Sequence, residues 1–367
     1  MSVLIIAFIA SLLVTFWIIR SNHLHERFTG DSDLSGVQKF HTVAVPRVGG
    51  VGIILGVILA FTTRYFQNTE VGLFGLLILV SALPAFLAGL TEDVTKKVGV
   101  RFRLLATFLS AALAGYFLNA WLSSIQMLGI DSLMLAYPIV AIGITCFAVG
   151  GVANAFNIID GYNGLSSVVA IIILTAIAYV AFQVRDYAIM ISAFAMIGAL
   201  AGFLVWNYPR GLIFLGDGGA YLIGFWIAEL SILLTARHPE VSKWFPLLLC
   251  IYPIFETLFT IYRRIILKRV NPGMPDASHL HQLIYMRVVH WPAGSNDNHL
   301  HKTNRNAMTS PYLWVLTTLS VIPAILFWRH HIILKVFSVF FAIGYIWFYW
   351  SIVRFKVPKW LLRKKRF

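Results

Sequence analysis

Two long apolar stretches stand side by side in the middle of the chain: LSSVVAIIILTAIAYVAFQV at 165–184 and YAIMISAFAMIGALAGFLVW at 187–206. Neither stretch contains a charged residue, and only Arg185 and Asp186 separate them. An apolar run of about 18 or more residues is long enough to cross a bilayer as a helix, which satisfies its own backbone hydrogen bonds in lipid. This part of the sequence therefore predicts two membrane-spanning helices joined by a tight polar turn.

The same pattern recurs along the whole chain of 367 residues, of which 59% are hydrophobic and 12% charged, with a mean hydropathy of +0.80. This composition excludes a soluble enzyme, a disordered chain and a secreted disulfide scaffold. The predicted fold class is all-α, a polytopic membrane protein with about eleven transmembrane helices. Their approximate positions are 2–19, 48–66, 71–90, 104–122, 133–153, 165–184, 187–206, 219–236, 244–262, 311–328 and 332–353.

The basic residues predict the orientation of these helices. Of the 29 Lys and Arg residues, 23 fall on the side of the membrane that also carries the C-terminus. The positive-inside rule then places the C-terminus in the cytoplasm and the N-terminus in the periplasm. We expect one integral membrane domain over 1–367, in which 2–19 is a retained span rather than a signal peptide. Its cytoplasmic segments are the loops 20–47, 91–103, 154–164, 207–218 and 263–310 and a basic tail, 354–367, suited to anionic lipid.

Acidic residues are scarce, and several lie in polar elements at predicted cytoplasmic helix ends. The most specific element is NAFNIIDGYNG at 154–164. Asn154 and Asn157 are three residues apart, as are Asp160 and Asn163, so on a helical turn each pair shares a face. The same residue types also favour an ordinary turn.

Two more elements place carboxylates beside helix ends. Glu92 and Asp93 are adjacent, an arrangement that holds a hard cation such as Mg²⁺ or supplies a base, and that also fits a solvated helix end. The segment FLGDGG at 214–219 places Asp217 at the start of a span, where it suits either Mg²⁺ or a simple N-cap.

The remaining polar elements are basic or imidazole-bearing. The segment DASHLHQ at 276–282 carries His279 and His281, which suit phosphate binding, acid–base chemistry or metal, or are merely solvated. The segment PRVGG at 46–50 places the cation Arg47 beside two glycines, whose backbone is accessible, at the same membrane face. The alternative interpretation is that this segment is simply the boundary of a membrane helix.

Together these elements resemble the motifs of the polyprenyl-phosphate N-acetylhexosaminyl-1-phosphate transferase superfamily, in the same order, over about residues 40–290. Four segments resemble family motifs: 46–50 resembles Pro-Arg-x-Gly-Gly, and 154–164 resembles Asn-x-x-Asn-x-x-Asp-Gly-x-Asp-Gly. Likewise, 214–219 resembles Phe-Met-Gly-Asp-x-Gly-Ser, and 276–282 resembles a His-Ile-His-His segment. The chain departs from the family pattern at four positions: Glu92 for Asp, Asn163 for Asp, Ala220 for Ser and Gln282 for His.

The resemblance implies transfer of N-acetylhexosamine-1-phosphate from a UDP-sugar to undecaprenyl phosphate, with release of UMP. The lipid phosphate would attack the β-phosphorus at the cytoplasmic face of a bacterial inner membrane and start a lipid-linked cell-envelope polysaccharide, such as that of the lipopolysaccharide O-antigen. The implied cofactor is Mg²⁺, with Mn²⁺ as the alternative. The implied partners are polyprenyl phosphate, UDP-N-acetylhexosamine and the bilayer, with no nucleic acid; a homodimer stays open.

The resemblance also implies roles for particular residues. Asp217 becomes the leading Mg²⁺ ligand, together with Asn157, and Glu92 supports the metal or phosphate geometry. The catalytic set is completed by Asp93 as the candidate base, Asp160 as an orienting group, and His279 and His281 facing the diphosphate or sugar. The substrate-binding set is Arg47, Lys96 for the lipid phosphate, Asn154, Asn157, Asn163, Arg263 and Arg264.

Two alternatives remain open at this point. A transporter or flippase of lipid-linked sugars also has many spans and basic cytoplasmic loops, but it predicts polar groups along a path through the membrane. Here only Glu229 and Glu256 lie within predicted spans, where each either pairs with a neighbouring helix or acts in function. An inactive transferase relative is the other alternative, suggested by Asn163 and Gln282.

Overall fold

Every regular element of the computed structural model is a helix, within the residues it describes: 1–23, 29, 45–127, 129–267, 269, 278–289 and 299–354. The all-α prediction is therefore confirmed. In chain order the helices are α1 (Ser2–Arg20), α2 (Gly49–Gln67), α3 (Thr69–Thr95), α4 (Val100–Leu118), α5 (Ile130–Ala136), α6 (Pro138–Ile159), α7 (Leu165–Gln183), α8 (Tyr187–Asn207), α9 (Gly216–Arg237), α10 (Trp244–Leu249), α11 (Ile251–Tyr262), α12 (Leu280–Leu283), α13 (His299–Leu326) and α14 (His331–Val353), with π-helical segments at Arg263–Leu267 and Ile284–Val289.

Ten of the described helices are long and apolar enough to cross a membrane, so the chain is a multi-pass membrane protein. They correspond to ten of the eleven predicted runs. The run at 244–262 is instead divided into α10 and α11, which meet at Cys250. Proline lacks a backbone N–H and is tolerated in the first turn of a helix, so Pro253 fits the restart of the chain as α11.

Two helices extend beyond their apolar runs and include motif residues that we placed in loops. Glu92 and Asp93 lie in the last turns of α3, which continues to Thr95, so the predicted start of a loop at 91 is wrong. Asn154 and Asn157 lie in the last two turns of α6. Polar residues at a helix end carry no apolar periodicity, which is why the runs end too early.

The central motif changes conformation part-way along its length. Asn154 and Asn157 share a helical face, as predicted. The chain leaves the helix at Asp160, the residue after the last turn of α6, and residues 160–164 form a turn. The shared helical face predicted for Asp160 and Asn163 is therefore wrong.

Helix α9 lies at the centre of the bundle and is buried over almost its whole length. It packs against α2, α3, α6 and α7, among other helices. Because α9 is enclosed in this way, it has no polar solvent-exposed face, and even its carboxyl residue Glu229 is fully buried.

Helix α1 packs against α8 through glycines that allow the two backbones to approach closely. A Cβ atom on Gly198 would lie 2.2 Å from the carbonyl oxygen of Leu4, and one on Gly202 would lie 2.4 Å from that of Phe8. Small residues at helix contacts are a usual means of packing membrane helices, because lipid gives no hydrophobic drive for association.

The ends of five helices meet at one end of the bundle, and all of them except α4 carry motif residues: the starts of α2, α4 and α9 and the ends of α3 and α6. Parts of several predicted cytoplasmic segments lie outside the described residues. They include Asp276, most of the loop 20–47 and the tail beyond Arg354.

Candidate active site

The site is built on a backbone contact between the start of α2 and the segment before α9. The N–H of Phe214 donates to the carbonyl of Pro46 at 2.8 Å, and the N–H of Gly49 donates to the carbonyl of Phe214 at 3.0 Å. A Cβ atom on Gly50 would lie 2.5 Å from the nitrogen of Gly219, so only glycine fits there. This contact holds Arg47 beside Asp217.

Asp217 is paired with two guanidinium groups. Nη2 of Arg47 lies 2.9 Å from Oδ1 of Asp217, and Nη1 of Arg103 forms an ion pair with Oδ2. Asp217 and Arg103 are each 8% exposed, so this charge cluster is largely shielded from solvent. Asp217 is the second residue of α9, whose N-cap is Leu215, so the simple N-cap interpretation is wrong.

Asp93 closes the cluster from the end of α3. Its Oδ1 accepts a hydrogen bond from the N–H of Asp217 and its Oδ2 accepts one from the N–H of Gly218, both at 2.9 Å. Arg47 Nη2 lies 3.6 Å from Oδ1 of Asp93. A carboxylate at the N-terminus of a helix satisfies its free N–H groups and interacts favourably with its dipole. Asp93 therefore fixes the start of α9.

Glu92 turns away from its neighbour. Its Oε2 accepts a hydrogen bond at 2.6 Å from the N–H of Val98, in the segment between α3 and α4. Because Glu92 and Asp93 bond to different parts of the backbone, the adjacent pair is not arranged here as a shared cation site. Lys96, which follows α3 in a left-handed conformation, is exposed at the same end of the bundle.

Two residues that sequence reasoning missed extend the cluster towards α6. The guanidinium of Arg103 lies 5.6 Å from the ring centre of Tyr221, and the hydroxyl of Tyr221 donates to Oδ1 of Asn154 at 3.3 Å. Asn157, one turn further along α6, is half-buried. In the sequence Arg103 stands out only as a charge that sets topology, although its position ten residues after Asp93 at the same membrane face is a usable signal.

Asp160 lies on the same side of the site, close enough to Arg47 for their charges to interact. Its Oδ1 accepts a hydrogen bond of 2.5 Å from Ser166 at the start of α7. Burial raises the pKa of the Asp160 carboxyl to about 6, although the hydrogen bond from Ser166 and the charge of Arg47 both lower it. Asp160 therefore changes its charge near neutral pH.

Asn163 is occupied by contacts within the protein. Its Nδ2 donates to the carbonyl of Pro209 at 3.0 Å, its N–H donates to Oδ1 of Asn306 at 2.8 Å, and its carbonyl accepts from Ser310 at 2.7 Å. Asn163 is 4% exposed. It thus joins the turn after α6 to the segment before α9 and to α13, and these contacts do not include the Asp217 cluster.

The two histidines lie beside the central motif. Their rings are stacked with centres 5.2 Å apart, and the ring of His281 lies 5.5 Å from that of Tyr162. A Cβ atom on Gly161 would be 3.4 Å from Nε2 of His281. Burial, together with the neighbouring His279, lowers the pKa of His281 to about 3, so this imidazole is neutral at physiological pH.

The predicted pair Arg263 and Arg264 is buried after the end of α11. Nη1 of Arg263 donates to the hydroxyl of Tyr349 at 3.0 Å, and that hydroxyl donates to the carbonyl of Ser278 at 3.0 Å. Arg263 thus connects the last helix to the residue just before His279.

The donors at the Asp217 cluster fit a magnesium ion that is shared with substrate. Within the described part of the chain, no three His, Cys, Asp or Glu side chains converge to hold a metal. Mg²⁺ usually binds proteins through one or two carboxylates and completes its coordination with water and substrate phosphates. Asp217 provides such a carboxylate, and the amide oxygens of Asn154 and Asn157 on the neighbouring helix end are further oxygen ligands of the kind that Mg²⁺ prefers.

Comparison with known proteins identifies the family of this chain. A family model described as glycosyl transferase family 4 matches residues 75–235, from within α3 to the end of α9. A Saccharolobus solfataricus protein that bears the name UDP-N-acetylglucosamine–dolichyl-phosphate N-acetylglucosaminephosphotransferase is 30% identical over 75% of this chain and 81% of its own length. The chain belongs to glycosyl transferase family 4.

Bacterial proteins show a similar likeness. Proteins that bear the name undecaprenyl-phosphate α-N-acetylglucosaminyl 1-phosphate transferase are 25% identical in Thermotoga maritima, over 76% of this chain and 81% of the relative, and 26% identical in Escherichia coli O157:H7, over 91% and 87%. The family-4 match contains Asp93, Arg103, Asp160 and Asp217. Arg47 precedes it, and the two histidines follow it.

Proposed function

We propose that this chain transfers an N-acetylhexosamine-1-phosphate from a UDP-sugar to undecaprenyl phosphate and releases UMP. The observation that carries the proposal is the buried cluster of Asp217, Asp93, Arg47 and Arg103 at one end of a membrane bundle. Phosphoryl transfer depends mainly on positioning and on neutralising charge, which such a cluster supplies. Relatives whose names state this activity support the same conclusion.

Within this reaction, Arg47 and Arg103 offset the negative charge of the nucleotide diphosphate. Asp217, with Asn154 and Asn157, would hold Mg²⁺, which when bound neutralises phosphate oxygens. Because the guanidinium groups now contact both oxygens of Asp217, substrate and metal would compete with these ion pairs. Lys96, exposed at the same end, is placed to contact the lipid phosphate.

The lipid phosphate is already an anion, so a general base contributes little to its attack on the β-phosphorus. Both oxygens of Asp93 accept backbone hydrogen bonds. We therefore assign Asp93 to holding the N-terminus of α9, and with it Asp217, in the geometry of transfer, in place of the base role.

The distribution of basic residues supports a cytoplasmic location for this end of the bundle. All five motif-bearing elements belong to the side that carries 23 of the 29 Lys and Arg residues. In this orientation the site faces the compartment that supplies UDP-sugars, at the cytoplasmic face of a bacterial inner membrane. A homodimer stays a prediction from the sequence.

The test is UMP release by the purified protein in detergent. With Mg²⁺, undecaprenyl phosphate and a panel of UDP-N-acetylhexosamines, we expect UMP to form with at least one sugar and to stop when EDTA is added. Omission of the lipid phosphate is the control. If no UMP forms with any sugar, the transferase assignment is wrong and the flippase alternative, which predicts no such turnover, gains support.

A further inference from the structure

A second buried network lies behind the two histidines. It is centred on the carboxylate of Glu256, a residue of α11 that is 1% exposed. Oε1 of Glu256 lies 3.0 Å from Nδ1 of His279 and accepts a hydrogen bond of 3.2 Å from the N–H of Leu280, while Oε2 accepts one of 2.5 Å from the hydroxyl of Tyr345. The carboxylate therefore has a partner for each oxygen.

The contact with Glu256 determines which nitrogen of His279 carries a proton. An ionised carboxylate only accepts hydrogen bonds, so Nδ1 of His279 must be the protonated nitrogen. When one ring nitrogen is fixed in this way, the other is the one presented for function. When the His279 ring is neutral, its Nε2 can therefore accept a hydrogen bond. When the ring is charged, Nε2 can donate one.

The backbone around His279 is held as firmly as the ring. The N–H of His279 donates to Oε1 of Gln282 at 3.0 Å, so the residue that replaces a family histidine has a structural role here. Tyr349 donates to the carbonyl of Ser278, one residue earlier. The last helix, α14, therefore holds this segment through both Tyr345 and Tyr349.

The histidine pair lies next to the turn of the central motif. Its ring stack places Nε2 of His281 3.4 Å from the Cβ position of Gly161, immediately after Asp160. The charge of Arg47 acts on Asp160, so the turn beside the histidine stack is coupled to the charge cluster.

We propose that Glu256, supported by Tyr345, is a positioning residue that holds His279 as its Nδ1–H tautomer and thereby directs Nε2 towards the nucleotide sugar. The proposal rests on the transferase function proposed above. It gives α11 and α14, which lie beyond the residues of the family match, a part in substrate recognition. Glu256 acts only through His279 and does not itself contact substrate.

The first test is the kinetics of Glu256→Gln, which keeps the size of the side chain but loses the charge and one of the two acceptor oxygens. We expect kcat/KM for the UDP-sugar to fall roughly 10–100-fold, as for other carboxylates that orient a functional histidine, with the KM for lipid phosphate unchanged. Glu256→Asp, which retains the carboxylate, should recover part of the loss. The matched control is Glu229→Gln, a fully buried carboxyl of α9 about 18 Å along the helix from Asp217; it should keep wild-type kinetics.

A double-mutant cycle distinguishes positioning from simple stability. If Glu256 acts through His279, the Glu256→Gln change should have almost no further effect in a His279→Ala background, whereas independent effects multiply. Wild-type kinetics in Glu256→Gln, or a full multiplicative loss in the double variant, would overturn the proposal. Should Glu256→Gln fail to fold, Tyr345→Phe and Glu256→Asp are carried through the same cycle with the same criteria. Absence of UMP release by the wild-type protein would instead refute the proposed function itself.

Discussion

Asp93 accepts a hydrogen bond of 2.9 Å from the backbone N–H of Asp217, a residue 124 positions further along the chain. With the second bond, from Gly218, this contact fastens the end of α3 to the start of α9. The helix that carries Asp217 therefore begins at a fixed carboxylate. The left-handed conformation of Gly216 (φ 77°) is part of the same contact, since a Cβ atom there would lie 2.6 Å from Oδ2 of Asp93.

The unequal positions of Asp93 and Glu92 lead to our first prediction. Asp93→Asn should reduce UMP release by roughly 5- to 150-fold, because an amide nitrogen cannot accept the bond from Asp217 or Gly218 and leaves a buried donor unpaired, which costs about 1–3 kcal/mol. Glu92→Gln should cause a much smaller loss, because an amide oxygen can still accept from Val98. Equal losses in steady-state assays of the two variants would show that the pair works as a unit.

The contrast between these neighbours also shows where sequence reasoning reached its limit. Ten of the eleven predicted apolar runs correspond to helices long enough to span a membrane, because lipid burial leaves a strong local signal. The hydrogen bond from the backbone N–H of Asp217 to Asp93 leaves no such local signal, because it depends on how distant helix ends meet. For the same reason Arg103 was counted only as a charge that sets topology, and Asn163 was assigned to substrate when its side chain bonds to Pro209.

Arg103 provides the second prediction. Arg103→Gln leaves the buried carboxylate of Asp217 with one guanidinium partner, so both activity and stability should fall; removing one partner of a buried pair costs about 3–5 kcal/mol. Arg101→Gln, two residues away and exposed, is the matched control and should have little effect on either. Thermal unfolding in detergent and UMP release measure the two consequences. Equal melting temperatures for the two variants would contradict the buried ion pair.

The third prediction concerns pH. The pKa of Asp160 is raised to about 6, so this carboxyl is protonated below that pH and ionised above it. If the ionised form orients nucleotide or metal, kcat/KM should rise with pH through about 6. Ser166→Ala removes a donor that stabilises the carboxylate, so the midpoint should move to higher pH.

Ser167→Ala is the control for this shift, because Ser167 is equally buried next to Ser166 and has no hydrogen bond to Asp160. Its pH profile should match that of the wild type. An unshifted midpoint in Ser166→Ala would assign the acid limb to another group.

The fourth prediction concerns Asn163, where the family pattern has Asp. Restoring that residue with Asn163→Asp should destabilise this protein by about 1–3 kcal/mol, because a carboxylate oxygen would face the carbonyl of Pro209 in place of a donor. Asn306→Asp is the counterpart, since Asn306 only accepts from the N–H of Asn163 and a carboxylate can do the same. Thermal unfolding should show a clear loss for the first variant and a smaller one for the second. A more stable Asn163→Asp protein would contradict the role given to the amide.

Asp217 lies at the centre of the phosphoryl transfer that we propose. The direct measurement is UMP release by Asp217→Asn in detergent, with Mg²⁺, undecaprenyl phosphate and the UDP-sugar that the wild type uses. Asp186→Asn serves as the control, because Asp186 caps α8 and pairs with Arg237, outside the cluster. We predict that Asp217→Asn folds and inserts but loses UMP release by at least about 100-fold, while Asp186→Asn retains it. Wild-type turnover by Asp217→Asn would contradict the role of Asp217 in phosphoryl transfer.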